Sequence, residues 1–226
     1  MSIYITGDTH GEQSRFYDKM LCPNGALKSG DYLIVCGDFG YLFLNNTCEN
    51  LFLDDLEKLP YTILFVDGNH EGFPAIYDCP VVEWHGGKAH QIRNNIFHLM
   101  RGEIFDIDGK SFFCFGGAYS IDKYMRKEGY SWFKEEQPTE EEYKNASENL
   151  KKHNFKVDYI VTHTMPREMI LRFGKYPDAH DMQLTGFLEW VMYETEYNCW
   201  YCGHWHADKE LEDKFRILWF DILKIA

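Results

Sequence analysis

The chain alternates short, nearly unbroken apolar runs with polar, glycine-containing stretches. Ile3–Ile5, Tyr32–Cys36 and Thr62–Val66 are the first such runs. Continuous apolar character closed by Gly, Asp, Asn or His is the pattern of a strand buried on both faces, as in a parallel sheet. Cys48–Leu59 lies between the second and third runs and carries Leu51, Leu56 and Leu59 at roughly helical spacing. Strand–helix–strand order predicts an α/β sheet with helices on its faces.

From Val81 the pattern changes. Val81–Trp84, His90–Ile92, Glu103–Ile107 and Ser111–Phe115 are closely spaced strand candidates, and Asp108-Gly109 before the last is a hairpin signal. This region is expected to build a second, antiparallel or mixed sheet. Farther on, Thr139-Glu140-Glu141-Glu142 after Pro138 is a capping box, which predicts a helix running to about Lys152. Asp158–Thr162 reads as a buried strand, Gln183–Tyr197 as a helix, and Trp200–Cys202 and Phe215–Phe220 as strands. No repeat or linker marks a boundary, so a single domain over residues 1–226 is expected.

Composition supports a packed core, since 45% of the 226 residues are hydrophobic and 17% aromatic. The net charge of −13 disfavours broad contact with nucleic-acid phosphates or an anionic membrane, so extended nucleic acid is not an expected partner. A locally cationic site, such as one built on metal ions, escapes that argument. The 7 cysteines (Cys22, Cys36, Cys48, Cys79, Cys114, Cys199 and Cys202) are too scattered for a disulfide scaffold. Cys199-x-x-Cys202 has no second pair for zinc and lies on an expected strand, so it is read as core. The N-terminus shows no signal-peptide pattern, and no apolar run reaches the roughly 18 residues of a membrane span. The expectation is a soluble protein of a reducing cytoplasm.

The informative residues stand where the runs end. Gly7-Asp8-Thr9-His10, Gly37-Asp38, Asp67-Gly68-Asn69-His70-Glu71, Thr162-His163 and Gly203-His204-Trp205-His206 each follow an expected strand. Sites in open α/β sheets form at the carboxyl ends of strands, so these groups should converge. In Asp8-x-His10 and His204-x-His206, alternate residues of an extended segment project to one side and can serve one site. Carboxylate oxygens and imidazole nitrogens suit Mn²⁺, Fe or Zn²⁺. Seven candidate ligands (Asp8, His10, Asp38, Asn69, His163, His204 and His206) exceed one tetrahedral ion and suit two ions with a shared carboxylate. Burying so many polar groups with no metal would be costly.

The ordered set, running from position 8 to 206, resembles the calcineurin-like metallophosphoesterase superfamily. The resemblance implies a four-layer α/β/β/α sandwich of two mixed sheets and a dinuclear metal centre. It implies that Asp8, His10 and His206 hold one metal, that Asn69, His163 and His204 hold the other, and that Asp38 bridges. His70 would act on the substrate, as acid or as stabiliser of phosphoryl charge, while a metal-bridging hydroxide attacks phosphorus. Manganese is the first expectation, with iron or zinc as alternatives. Glu71 is read as structural.

The chain departs from the Ser/Thr protein phosphatase branch. There the bridging Asp is followed, three and four residues on, by Asp-Arg; here those positions are Tyr41 and Leu42. A substrate-binding Arg must come from elsewhere. Gly116-Gly117-Ala118-Tyr119-Ser120-Ile121-Asp122-Lys123 leads to Arg126 and then to Tyr130-Ser131-Trp132-Phe133-x-x-Glu136. This looks like a stretch of small bacterial and phage members of the superfamily. It makes Arg126 the expected phosphate contact and Asp122 a partner orienting His70 or Arg126; the alternative is a plain i,i+4 ion pair. Arg167 is a second phosphate candidate. Trp132 and Phe133 are read either as a pocket wall or as core. His85, His90, His98, His153 and His180 have no partner at ligand spacing and are read as surface or core histidines.

The expected activity is hydrolysis of a small phosphoester or nucleotide. A nuclease acting on nucleic acid and a metal-stabilised binding scaffold without turnover are the alternatives.

Overall fold

A computed structural model of the chain describes residues 1–17 and 27–226. Cys22 lies outside the described residues. The strands are β1 (Ile3–Thr6), β2 (Tyr32–Val35), β3 (Thr62–Phe65), β4 (Val81–Trp84), β5 (Gly87–Arg93), β6 (Ile96–Leu99), β7 (Glu103–Ile107), β8 (Lys110–Phe115), β9 (Tyr159–Thr162), β10 (Cys199–Cys202), β11 (Lys209–Leu211), β12 (Phe215–Ile217) and β13 (Leu223–Lys224). The helices are α1 (Ser14–Tyr17), α2 (Thr47–Leu56), α3 (Phe73–Tyr77), α4 (Glu140–Lys152), α5 (Arg167–Arg172) and α6 (Met182–Glu194).

The strands form two mixed sheets, ordered β13-β1-β2-β3-β6-β5-β4 and β11-β12-β10-β9-β8-β7. β1, β2, β3 and β6 run parallel, as do β8, β9, β10 and β12. Alternation along each central strand sets the layers. Ile3 and Ile5 of β1 pack with Phe112 and Cys114 of β8 in the layer between the sheets. Tyr4, Leu33 and Ile63 face the other way, onto Leu53 and Leu56 of α2 and Ile76 of α3. Phe113, Phe115 and Trp200 face outward onto α4, α5 and α6 through Leu150, Met169 and Leu188. The result is the α/β/β/α sandwich.

Several expectations shift. The Val81–Phe115 region does not form one sheet: β4, β5 and β6 extend the first, and only β7 and β8 join the second. α2 begins at Thr47, capped by Asn46, and buries Leu53 and Leu56, whereas Leu51 points to solvent. The expected helix Gln183–Tyr197 ends early, at Glu194, and the expected strand Phe215–Phe220 ends at Ile217. Two local signals match closely. Thr139 and Glu142 form the reciprocal cap of α4. Asp108 and Gly109 both take positive φ (53° and 73°), the requirement of a type I′ hairpin. Among the described residues, no helix is long and apolar enough to cross a membrane.

Candidate functional site

The loops after β1, β2, β3, β9 and β10 bring all seven candidate ligands to one place. Asp8, His10 and His206 offer atoms within 4.8 Å of one another, and so do Asp8, Asp38 and His163. His10 Nε2 and His206 Nε2 lie 3.0 Å apart. Asn69 Oδ1 lies 3.1 Å from His163 Nε2 and 3.1 Å from His204 Nδ1. Asp38 stands between the two halves, with Oδ2 at 3.6 Å from His10 and Oδ1 at 3.5 Å from His163. Asp8 reaches both halves as well, which its expected place on one side did not anticipate.

The backbone is bent to achieve this. Asp8, His10, Asp38, His204 and His206 all have φ between 45° and 67°. The left-handed region is uncommon for residues with a Cβ, and strain gathered in one place is characteristic of functional sites. The close approach also requires glycine, because a Cβ at Gly68 would overlap Asp38 Oδ1 and one at Gly37 would overlap the His163 ring.

Electrostatics point the same way. Burial pushes the Asp8 carboxyl up to about 8, with the neighbouring Asp38 adding to the effect. Burial also opposes ionisation of Asp38, yet His163, His70 and His10 hold it at about 2. Burial brings His10 down to about 4 and His204 to about 3. His163 is raised, because Asp38 and Asp8 outweigh the cost of burying its charge. Its Nδ1 lies 2.8 Å from the Cys36 carbonyl, which fixes the tautomer and leaves Nε2 free toward Asn69. Two buried carboxylates, four imidazoles and an amide oxygen, turned on one another, form a donor set that fits divalent cations.

Around this set lies support that the sequence patterns did not reveal. Asn69 Nδ2 donates to Ser120 Oγ at 3.2 Å, and Ser120 donates to the buried Glu136 at 2.6 Å. The amide is thereby turned so that Oδ1 faces the histidines. Asp67, at the end of β3, receives Arg101 Nε at 2.9 Å and lies 3.0 Å from His98 Nε2. Glu71 is fully buried and accepts the Phe39 amide at 2.8 Å, a structural role. The only local hints were that Asp67, Ser120 and Glu136 belong to the short motifs named above. Their partners lie far away in sequence.

His70 and Arg126 meet beside the cluster. Arg126 Nη2 donates to His70 Nε2 at 2.7 Å and pairs with Asp122 at 2.8 Å, and Nη1 donates to the Asn69 carbonyl at 3.3 Å. The ion pair and the approach to the site therefore coexist, on a tight turn rather than an α-helix. Burial lowers the His70 pKa, and Arg126 lowers it further against the pull of Asp38. Arg167 is not at the site; it pairs with Glu189 of α6. Trp132 and Phe133 are buried, with Lys123 over the Trp132 ring at 3.6 Å and Phe133 against Phe73. They are core, and the cleft beside the cluster is walled instead by Tyr119, Ile121, Tyr176 and Trp205.

A family model described as calcineurin-like phosphoesterase matches residues 1–208. A lariat debranching enzyme of Drosophila pseudoobscura pseudoobscura is 23% identical, over 92% of this chain and 43% of that protein. The chain thus spans less than half the length of that relative. A phosphopantetheinyl hydrolase of Mycobacterium tuberculosis aligns with a TM-score of 0.46 at 18% identity, covering 96% of this chain and 87% of that one.

Proposed function

The chain belongs to the calcineurin-like phosphoesterases, and from that premise we propose that it hydrolyses a small phosphoester or nucleotide with two divalent metal ions, manganese first among the candidates. The observation that carries this reading is the convergence of seven donor side chains, five of them at positive φ, with Asp38 at their centre. Asp8, His10 and His206 would hold one ion, Asn69, His163 and His204 the other, with Asp38 shared. Metal ions in such a site lower the proton affinity of water and offset phosphoryl charge.

The chain's own groups account for the rest. His163 is held with Nε2 inward by the Cys36 carbonyl, and Asn69 is turned by Ser120. Arg126 presents its guanidinium beside His70, where phosphoryl oxygens would lie, and offers a fork of donors suited to them. Asp122 keeps the fork aimed. Burial and Arg126 lower the His70 pKa and so favour the neutral ring, placed to hydrogen-bond the phosphoryl group or leaving oxygen. Its proton would come from solvent.

The test is hydrolysis of p-nitrophenyl phosphate and bis(p-nitrophenyl) phosphate with Mn²⁺ and after chelation, beside Asn69→Ala and His70→Ala. Metal-dependent turnover that falls in both variants is expected. Turnover that survives chelation, or that is unchanged in both variants, would sink the reading.

A further inference from the structure

The phosphoesterase reading leaves open what the phosphate carries, and the inference that follows rests on that reading. Asp38, Asn69, His70, His204 and His206 line one part of a cleft of about 810 Å³. Clefts of roughly 300–1,000 Å³ take a whole organic ligand, far more than a phosphate alone. The remaining wall is largely apolar, formed by Tyr119, Ile121, Ile170, Tyr176 and Trp205. Tyr119 stacks on His180 with 4.4 Å between ring centroids, which holds its ring in place. Ile121 and Tyr176 are 75% and 87% exposed, and Tyr124 and Met125 stand exposed on the same loop as Ile121. Apolar side chains gathered in solvent beside a polar site mark a recognition surface.

A second aromatic flank borders the cluster. His70, His10 and His206 follow one another in T-shaped, edge-to-face contacts, at 5.2 and 5.1 Å between ring centroids. Phe43 lies 6.2 Å from His70 at one end of this row, and Trp219 stacks on His206 at 5.2 Å at the other. Neither lines the cleft. A phosphoryl group at the cluster therefore has organic surface waiting on two sides.

The charge balance suits a single negative charge. Arg126 is the guanidinium at His70, and it already faces Asp122. Arg15, Arg101 and Arg167 are committed elsewhere, to Thr6, Asp67 and Glu189. Among the described residues, Lys175 is the one lysine or arginine lining the cleft, against Asp122, Asp178 and Asp181. Beyond the metal ions, Arg126 is the one guanidinium at His70 among the described residues, a balance better matched to one phosphoryl charge than to two.

We infer that the substrate is a phosphodiester, with an aryl- or nucleobase-bearing substituent lying in the cleft against Tyr119 and Tyr176 and the other substituent along the Phe43–Trp219 flank. In the reaction, the oxygen of water joins phosphorus and the P–O bond to one substituent breaks. The departing oxygen leaves with a proton from water, giving a monoester and an alcohol.

The test is steady-state kinetics of the Mn²⁺-loaded protein with bis(p-nitrophenyl) phosphate and p-nitrophenyl phosphate, for wild type, Tyr176→Ala and Ile121→Ala. Both side chains are exposed, so truncating them leaves the fold intact. The diester is expected to have about a tenfold or greater advantage in kcat/KM. Tyr176→Ala is expected to raise KM for the diester about three- to tenfold with kcat little changed. A monoester turned over as well as the diester, or an unchanged KM in both variants, would overturn the inference while leaving the phosphoesterase reading in place. No turnover of either ester would overturn both.

Discussion

Replacing Arg101 by Ala is expected to cost about 3–5 kcal/mol of stability, because it leaves a buried carboxylate without its main partner. The side chains of Arg101 and Asp67 are only 2% and 1% exposed. Arg101 donates to Asp67 through Nε and Nη2, to the Glu135 carbonyl at 2.8 Å and to Glu142 at 3.3 Å, and its guanidinium lies over the Phe73 ring. Burial alone would raise the Asp67 pKa; Arg101, with His98, instead holds it well below the ordinary carboxylate range. Without Arg101, the hydrogen bond from His98 to Asp67 remains and softens the loss, so the lower end of the range is the expected value. Adding Asp67→Asn removes the stranded charge and should recover about 1–2 kcal/mol, a non-additivity expected of residues in one network. The assay is urea unfolding followed by circular dichroism, with chelator present because bound metal would add its own stabilisation. A loss below about 1 kcal/mol for Arg101→Ala, or additive single and double variants, would refute the reasoning.

Ser120→Ala frees the Asn69 amide to turn its nitrogen toward His163 and His204. Mn²⁺ affinity measured by calorimetry should fall about 10–100-fold. Arg126→Ala should lower kcat/KM about 100-fold while metal content stays the same, read by steady-state kinetics beside elemental analysis. Burial, with His98 as neighbour, lowers the His90 pKa from 6.5 to about 4. The unfolded chain therefore binds this proton more readily between those values. Stability present above pH 6.5 should fall by up to about 3 kcal/mol as the pH drops through 6.5 toward 4. Urea melts at several pH values should show a shallower fall for His90→Gln than for wild type.

The site was legible in the sequence to the extent that its chemistry is local. Asp8, His10, Asp38, Asn69, His163, His204 and His206 each sit within five residues of a recognisable apolar run, and strand ends in such a sheet converge. The runs gave sheets with helices on their faces, and the four-layer order was implied by the family resemblance. The division into sheets did not follow from the runs, because alternation says which face of a strand is buried and nothing of which neighbour it pairs with. Thus β6 pairs in parallel with β3 across an intervening hairpin of β4 and β5, while β7, a few residues on, belongs to the other sheet. Arg126 had no local signature beyond its motif, since its meaning depends on a loop folding back 56 residues to His70. The pairings of Asp67 with Arg101 and of Asn69 with Ser120 are likewise made by tertiary packing. Trp132 and Phe133, read as wall or core, are settled as core by contacts with Lys123 and Phe73.

The central claim is that two metal ions share Asp38, and a Mn²⁺ titration read by electron paramagnetic resonance addresses it most directly. The account predicts two Mn²⁺ per chain giving an exchange-coupled spectrum in the wild type, and loss of that coupling in Asp38→Asn. Binding of two ions without coupling in the wild type, or a coupled pair that persists in Asp38→Asn, would contradict it.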